Sequence, residues 1–361
     1  MIKRLGILTG GGDCAGLNAI IRAVTKRAII DFGSEVLGFK DGYAGLVENR
    51  FLKLSYDKVS GILLEGGTIL GTSNIANPFR WPTNKKGTFY SDLSERAIAN
   101  FNKLKLDAFV IIGGDGTLAI ANQLCERGLK NIVGIPKTID NDVKGTDFSC
   151  GFHSAFATVT DAIDKIHTTA QSHHRAMVIE VMGRYAGWLA LYSGIAGGGD
   201  IILIPEIPFD IEKVCQKILG RNKRGKRFSI VVVAEGAVPK GGKQVIQKIV
   251  KKSTDPIRLG GVGNIIASEI EKRTGIEARV TILGHLQRGG PPTAFDRILA
   301  TQFGTEAIKL CQEKKFGFMV ALKNNKITTA CLNAMKGGPR KVPNNHPFIK
   351  MARSVGTSFG D

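Results

Sequence analysis

Short β-branched runs that end in glycine turns, separated by stretches of helical period, constrain this chain more than any other feature. Such runs lie at 4–9, 35–39, 108–112, 131–135, 176–181, 201–204, 229–234, 278–283 and 317–322. Between them the apolar period lengthens. Leu17, Ile20, Ile21, Val24 and Ala28 share one helical face that ends near Gly33, and Phe156, Val159, Ile163 and Ile166 share another. The alternation predicts an α/β fold with parallel sheets covered on both faces, where ligands bind beyond the carboxyl ends of the strands. AFVIIGGDGT, 108–117, places three glycines and an acid at such an end. Two readings stand. One is a tight turn exploiting the positive φ that glycine tolerates. The other is a loop whose N–H groups meet phosphate oxygens while Asp115 holds a divalent cation.

With 361 residues, 43% of them hydrophobic, the chain is long enough for two domains with real cores. Its 45 glycines follow no fixed period and read as strand-to-helix turns. The six cysteines form no CxxC pair and are expected to be reduced thiols of a cytoplasmic protein. MIKRLGILTGGGD is neither a secretory signal nor an anchor, and no run approaches the ~20 apolar residues of a membrane span. The formal charge of +19 suits phosphorylated substrates steered by a positive potential, and equally admits nucleic acid. The densest basic stretch, KILGRNKRGKRF at 217–228, has no interleaved aromatics, so a solvated face ranks first, a small-anion site second and nucleic acid last. The Pro-, Asn- and Gly-rich segment 74–92 is expected to be an exposed excursion.

Four motifs carry chemistry. In GGGDCAGLNAIIRAV, 10–24, Gly10, Gly12 and Ala15 match a dinucleotide fingerprint with Asp41 as its acid; physically, Gly11 and Gly12 let backbone approach a phosphate at a helix start. GGDGT is the second. In PKTIDNDVKGTD, 136–147, alternation in an extended stretch would put Asp140 and Asp142 on one side, with Thr138 as a donor to a phosphoryl oxygen. Asp147 reads instead as a cap for a helix beginning near Phe152. The fourth group is dispersed: Arg175, Arg184, Arg279 and Arg288, all near strand ends and grouped with His285 and Glu235, have the chemistry to clamp a dianionic phosphate. The adjacent His173 and His174 cannot comfortably face one metal and read as structural.

GGGDCAGLNAIIR, GGTILGTS, IGGDGT, PKTIDNDVKGTD, MGRYAGWLA, AEG and ILGHLQRGGPP, in this order and spacing from about Ile2 to Ala300, resemble the 6-phosphofructokinase family. The resemblance implies two Rossmann-like three-layer domains with mainly parallel sheets. Residues 1–151 plus 287–338 would bind the donor and 152–286 plus 339–361 fructose 6-phosphate, with the active site in the cleft between them. It also implies a homodimer or homotetramer with shared active sites. By the same resemblance, Gly11, Gly114, Asp115, Gly116 and Thr117 hold the donor phosphates, and Asp115 binds Mg²⁺. Asp140 is the base toward the sugar 1-hydroxyl, Thr138 serves the transferred group, Arg184 is a further catalytic residue, and Asp142 supports the site. Thr138, Ile139, Asp140, Met182, Gly183, Arg184, Glu235, His285, Leu286, Gln287 and Arg288 are the expected sugar-phosphate residues, while Arg175 and Arg279 correspond to residues reaching across from a neighbouring subunit.

The resembling subgroup contains both ATP-using and pyrophosphate-using enzymes, and Gly116 and Lys137 are the expected donor-specificity positions. Pyrophosphate users commonly carry aspartate where this chain has Gly116, which favours ATP here; lysine at 137 is common among the pyrophosphate users. Asn74 replaces a family arginine, with Arg80 nearby as a substitute. Arg22, Lys26, Asp200, Lys226 and Arg227 match part of a regulatory nucleotide site, with His167 where arginine is expected.

Overall fold

A computed structural model describes residues 2–84, 89–249 and 257–361. Eleven strands build its two larger sheets: β1 (Arg4–Thr9), β2 (Glu35–Phe39), β3 (Phe51–Leu54), β4 (Ala108–Gly113), β5 (Ile132–Pro136), β6 (Ala176–Val181), β7 (Ile201–Leu203), β8 (Ser229–Ala234), β9 (Ala278–Ile282), β10 (Phe318–Lys323) and β11 (Lys326–Cys331). Five helices bear on the argument: α1 (Leu17–Phe32), α2 (Asp115–Glu126), α3 (Phe152–His173), α4 (Val262–Thr274) and α5 (Ala294–Gln312). The described chain forms two compact units. The first comprises residues through Ser154 together with Arg288–Pro339; the second comprises Ala155–Ile249, Ile257–Gln287 and Arg340–Asp361.

In the first unit the sheet order is β11-β10-β5-β4-β1-β2-β3. The inner pairings are parallel, and only β2–β3 and β10–β11 are antiparallel. Strand order therefore reverses between β1 and β4, the point where open α/β sheets bind ligands. Thr9 pairs with Ile112 and Ile112 with Ile135, so all three strands finish level and deliver Gly10, Gly114 and Lys137 to one edge. β4 is buried throughout, as its unbroken apolar sequence requires of a central parallel strand. Phe39 and Phe109 meet edge-to-face at 5.4 Å in the core. A fully buried side chain of this size contributes about 1.5–3 kcal/mol. α1 packs against α5 and ends at Gly33, whose left-handed φ of 61° lets its N–H reach the carbonyls of Ala28 and Ile29.

The second unit has a wholly parallel sheet, β9-β6-β8-β7, with Ala278, Ala176 and Ser229 aligned at its amino edge. Val178, Val231, Val233 and Ile266 belong to its core. Two short antiparallel pairs, Trp81–Pro82 with Tyr90–Ser91 and Ile246–Ile249 with Ile257–Leu259, complete the strands among the described residues.

The segment 74–92 is not simply an exposed excursion. Ala76 and Pro78 are buried and Phe79 packs on the core, because apolar residues sit among its turn formers; residues 85–88 fall outside the described chain. The basic stretch runs from the end of a helix onto solvent: Arg221 pairs with Asp200 at 2.6 Å, while 223–227 are exposed. His173 ends α3, His174 follows at φ 56°, and both are exposed.

Candidate active site

The glycines of GGDGT serve close approach and space, not left-handed backbone. Gly113, Gly114 and Gly116 are absent from the positive-φ residues, so the tight-turn reading falls. A Cβ on Gly113 would overlap the Thr117 side chain, and one on Gly10 would come within 2.7 Å of Thr117 Cγ2. Gly116 differs: a Cβ there meets nothing within 4 Å. The loop enters α2 directly, with Asp115 as its first residue and Oδ1 accepting the Gly116 N–H at 2.7 Å. Its N-cap residue, Gly114, has no side chain to cap it, so apart from the Gly116 N–H the first-turn N–H groups and the helix dipole face outward, where an anion is favoured. Thr117 is buried, and its carbonyl accepts the Tyr43 hydroxyl at 2.8 Å.

The first glycine loop lies alongside. Gly11 has φ 79°, and its N–H donates to Ser73 O at 3.3 Å. Arg288 Nη1 donates to Asp13 O at 3.0 Å and would stand 2.6 Å from a Cβ on Gly12. Lys137, 2% exposed, turns inward from the end of β5, and burial pushes its pKa down.

Thr138 to Asp142 is held by its own neighbourhood. Thr138 N donates to Cys150 O at 3.1 Å, Ser149 Oγ donates to Thr138 O at 2.8 Å, and Ser149 N donates to Asn141 Oδ1 at 3.0 Å. The stretch is not extended: Asn141 takes φ 52°, so strand alternation does not explain the placement of Asp140 and Asp142. They are nevertheless close in space. Burial, and then the charges of Asp140 and Asp115, hold the Asp142 carboxyl well above the usual carboxylate range. Asp115 is pushed up by burial as well. Three carboxylates therefore crowd one edge of the first unit. Ile139 is 2% exposed, leaving backbone as its means of contact. Thr138 Oγ1 accepts the Asp140 N–H at 3.1 Å.

The helix after this loop is not capped by Asp147, whose Oδ2 instead accepts Asn324 N at 2.8 Å. The cap is Asp296, which sequence reasoning missed: it is fully buried and accepts Gly151 N at 3.0 Å and Ser154 N at 2.7 Å. Arg80 stacks on the Tyr90 ring at 4.3 Å.

In the second unit a separate cluster gathers at the carboxyl edge of the sheet. Glu235 N donates to Val181 O at 2.8 Å and Gly236 N to Gly183 O at 3.2 Å, tying the turn after β8 to Met182, Gly183 and Arg184. Gly183, at φ 137°, needs glycine. Gln244 Nε2 donates to Arg184 O at 3.0 Å. The turn Gly284–Arg288 carries His285 and Leu286, both exposed, with Gln287 buried. Beneath it Glu180, also missed from sequence, accepts Gly261 N at 2.9 Å and Gly263 N at 2.8 Å, so a buried carboxylate caps α4.

Arg175 and Arg279 do not join this cluster. They sit at the opposite, amino edge, where Arg175 Nε pairs with Glu277 Oε2 at 2.7 Å and Arg279 Nη2 with Glu277 Oε1. Six-residue β6 separates the edges by roughly 17 Å. Nearness to a strand end does not by itself put Arg175 and Arg279 with Arg184, because parallel strands have two kinds of end. Of the regulatory-site matches, Asp200 is committed to Arg221 and to Ile230 N at 2.9 Å, and Lys26 lies over the Tyr56 ring at 3.8 Å.

Residues 4–311 match the family model described as Phosphofructokinase. A curated relative from Clostridium perfringens, named ATP-dependent 6-phosphofructokinase 2, is 50% identical over 363 residues, covering 100% of this chain and 99% of that one. The T-state crystal structure of Pichia pastoris phosphofructokinase superposes with a TM-score of 0.79 at 34% identity over 93% of this chain, which spans 36% of the Pichia chain. A pyrophosphate-dependent phosphofructokinase from Marinobacter aquaeolei gives a TM-score of 0.77 at 24% identity, over 95% of this chain and 86% of that one, a likeness of fold alone.

Proposed function

This chain belongs to the phosphofructokinase family, and we propose that it transfers the terminal phosphoryl group of ATP to the 1-hydroxyl of fructose 6-phosphate, giving fructose 1,6-bisphosphate and ADP in glycolysis. The observation that carries the reading is the level finish of β1, β4 and β5, which sets two glycine loops and an uncapped helix N-terminus beside three crowded carboxylates. Phosphoryl transfer depends on in-line positioning and charge neutralisation more than on covalent chemistry. In this proposal the loops at Gly11 and Gly114–Thr117 hold the donor phosphates. Asp140 accepts the proton of the sugar hydroxyl, and Thr138 donates toward the transferred oxygens. Met182, Gly183, Arg184, Glu235 and His285 recognise the sugar phosphate with Arg288, and Gln287 acts by shaping their backbone.

Magnesium fits this donor set. Among the described residues no three His, Cys, Asp or Glu side chains form a metal cage, and Mg²⁺ prefers one or two carboxylates completed by phosphate oxygens and water. Asp115 is the residue to hold it, and the ion would neutralise charge on the donor phosphates while offsetting the Asp140 and Asp115 charges that, after burial, raise Asp142. No helix among the described residues is long and apolar enough to cross a membrane; we place the enzyme in the cytoplasm, as a homo-oligomer.

Asp140→Asn tests the reading, because it keeps shape and removes proton acceptance. Turnover is expected to fall by about 10²- to 10⁴-fold with little change in sugar-phosphate affinity. Near-normal turnover would remove Asp140 from the mechanism.

A further inference from the structure

Four successive carbonyls of the first glycine loop are each fastened by a side-chain donor. Lys137 Nζ donates to Gly10 O at 3.0 Å and to Gly12 O; Thr72 Oγ1 donates to Gly11 O at 2.6 Å; Arg288 Nη1 donates to Asp13 O at 3.0 Å. Across a trans peptide the C=O and the following N–H point in opposite directions. Drawing the Gly11 and Gly12 carbonyls inward therefore turns the Gly12 and Asp13 N–H groups away from the fastening side chains. Among the described residues neither N–H donates to a protein acceptor, whereas those of Gly10 and Gly11 are taken by Ile112 O and Ser73 O.

Lys137 is a buried ammonium facing carbonyl oxygens. Its two acceptors flank Gly11, and Nζ would lie only 3.8 Å from a Cβ on that residue. Burying a cation is costly unless its donors are satisfied, and here carbonyls of the loop satisfy them. A side chain so committed is not extended toward a ligand.

We propose that Lys137, with Thr72, is a positioning residue: an internal strut that fixes the 10–13 loop with its free N–H groups presented to the donor phosphates, without touching the donor. This rests on the ATP-kinase reading for what the loop binds, but the strut itself exists without any donor. Lysine at 137 is then compatible with ATP, because it acts on the loop and not on the nucleotide.

The test uses the full chain, Lys137→Met and Thr72→Val. Amide hydrogen exchange of the Gly10 and Gly11 N–H groups, which Ile112 O and Ser73 O accept, measured without nucleotide, is expected to rise about tenfold in Lys137→Met and by a smaller factor in Thr72→Val. Steady-state kinetics are expected to show the KM for ATP raised at least about fivefold, the KM for fructose 6-phosphate within about twofold, and the double variant less impaired than the product of the singles. The exchange arm reads the strut even if the natural chain proves not to use ATP, so the two failures are distinguishable. Weakened ATP use with unchanged exchange would mean that Lys137 contacts the donor directly and would overturn the proposal. No change in either readout overturns it too. If Lys137→Met does not fold, Thr72→Val decides alone, and unchanged exchange in that variant overturns the strut.

Discussion

Gln287 Oε1 accepts the backbone N–H of Met182 at 3.1 Å, while its Nε2 donates to Gly284 O at 3.0 Å. One buried amide thus ties the loop after β6 to the turn that carries His285. Gln287→Leu leaves a Met182 N–H without its acceptor, a loss of about 1–3 kcal/mol for a buried group. The KM for fructose 6-phosphate should rise at least about tenfold, with a smaller effect on kcat and none on the KM for ATP. Equal loss in both KM values would show general unfolding instead.

Glu277 holds Arg175 and Arg279 at the edge of the second unit's sheet opposite Met182 to Arg184. We expect these arginines to complete the site of a neighbouring copy. Arg279→Ala and Asp140→Asn chains, each nearly inactive alone, should regain activity when mixed, since some sites would pair intact Asp140 with an intact Arg279. Absence of complementation despite demonstrated subunit exchange would count against shared sites.

His153 lies against Phe295 with ring centroids 3.7 Å apart and against Phe148 at 4.7 Å, and burial lowers its pKa to about 4. An unfolded histidine titrates near 6.5. The native state therefore binds fewer protons, so the stability contributed by neutral His153 is complete above pH ~6.5 and is lost as pH falls through that value toward the folded pKa. Melting temperatures of the natural chain and His153→Phe should differ by a constant amount above pH ~7 and diverge in favour of the variant as the pH is lowered to ~4. A gap independent of pH would contradict the assignment.

Period and glycine placement made the sheets legible: every apolar run from 4–9 to 317–322 became a strand, α1 ended at Gly33 as its pattern predicts, and α3 began at Phe152 as expected though under a different cap. The edge strands β3 and β11 were not legible, because FLKL and KITTAC are mostly exposed or half-buried, with only Leu54 buried, and lack the apolar continuity of a central strand. Within the site, motifs named the loops but not their supports. Glu180, Asp296 and Thr72 act through contacts over long sequence separations, 81 residues from Glu180 to Gly261 and 145 from Gly151 to Asp296, which local spacing does not reveal. The acid pair of Asp140 and Asp142 was found for the wrong reason: a left-handed Asn141, not strand alternation, shapes the segment between them.

The most direct test is the initial rate of fructose 1,6-bisphosphate formation from fructose 6-phosphate and Mg²⁺, with ATP and pyrophosphate supplied separately, for the natural chain and for Gly116→Asp. Gly116 opens onto empty space and has no positive φ, so the variant should fold while setting bulk and negative charge beside the donor loop. We expect the natural chain to turn over ATP faster than pyrophosphate, and Gly116→Asp to lose ATP use by at least about tenfold, which needs only ~1.4 kcal/mol in the transition state. A natural chain that turns over pyrophosphate faster than ATP would contradict the donor assignment, and one that forms no bisphosphate with either donor would contradict the account as a whole.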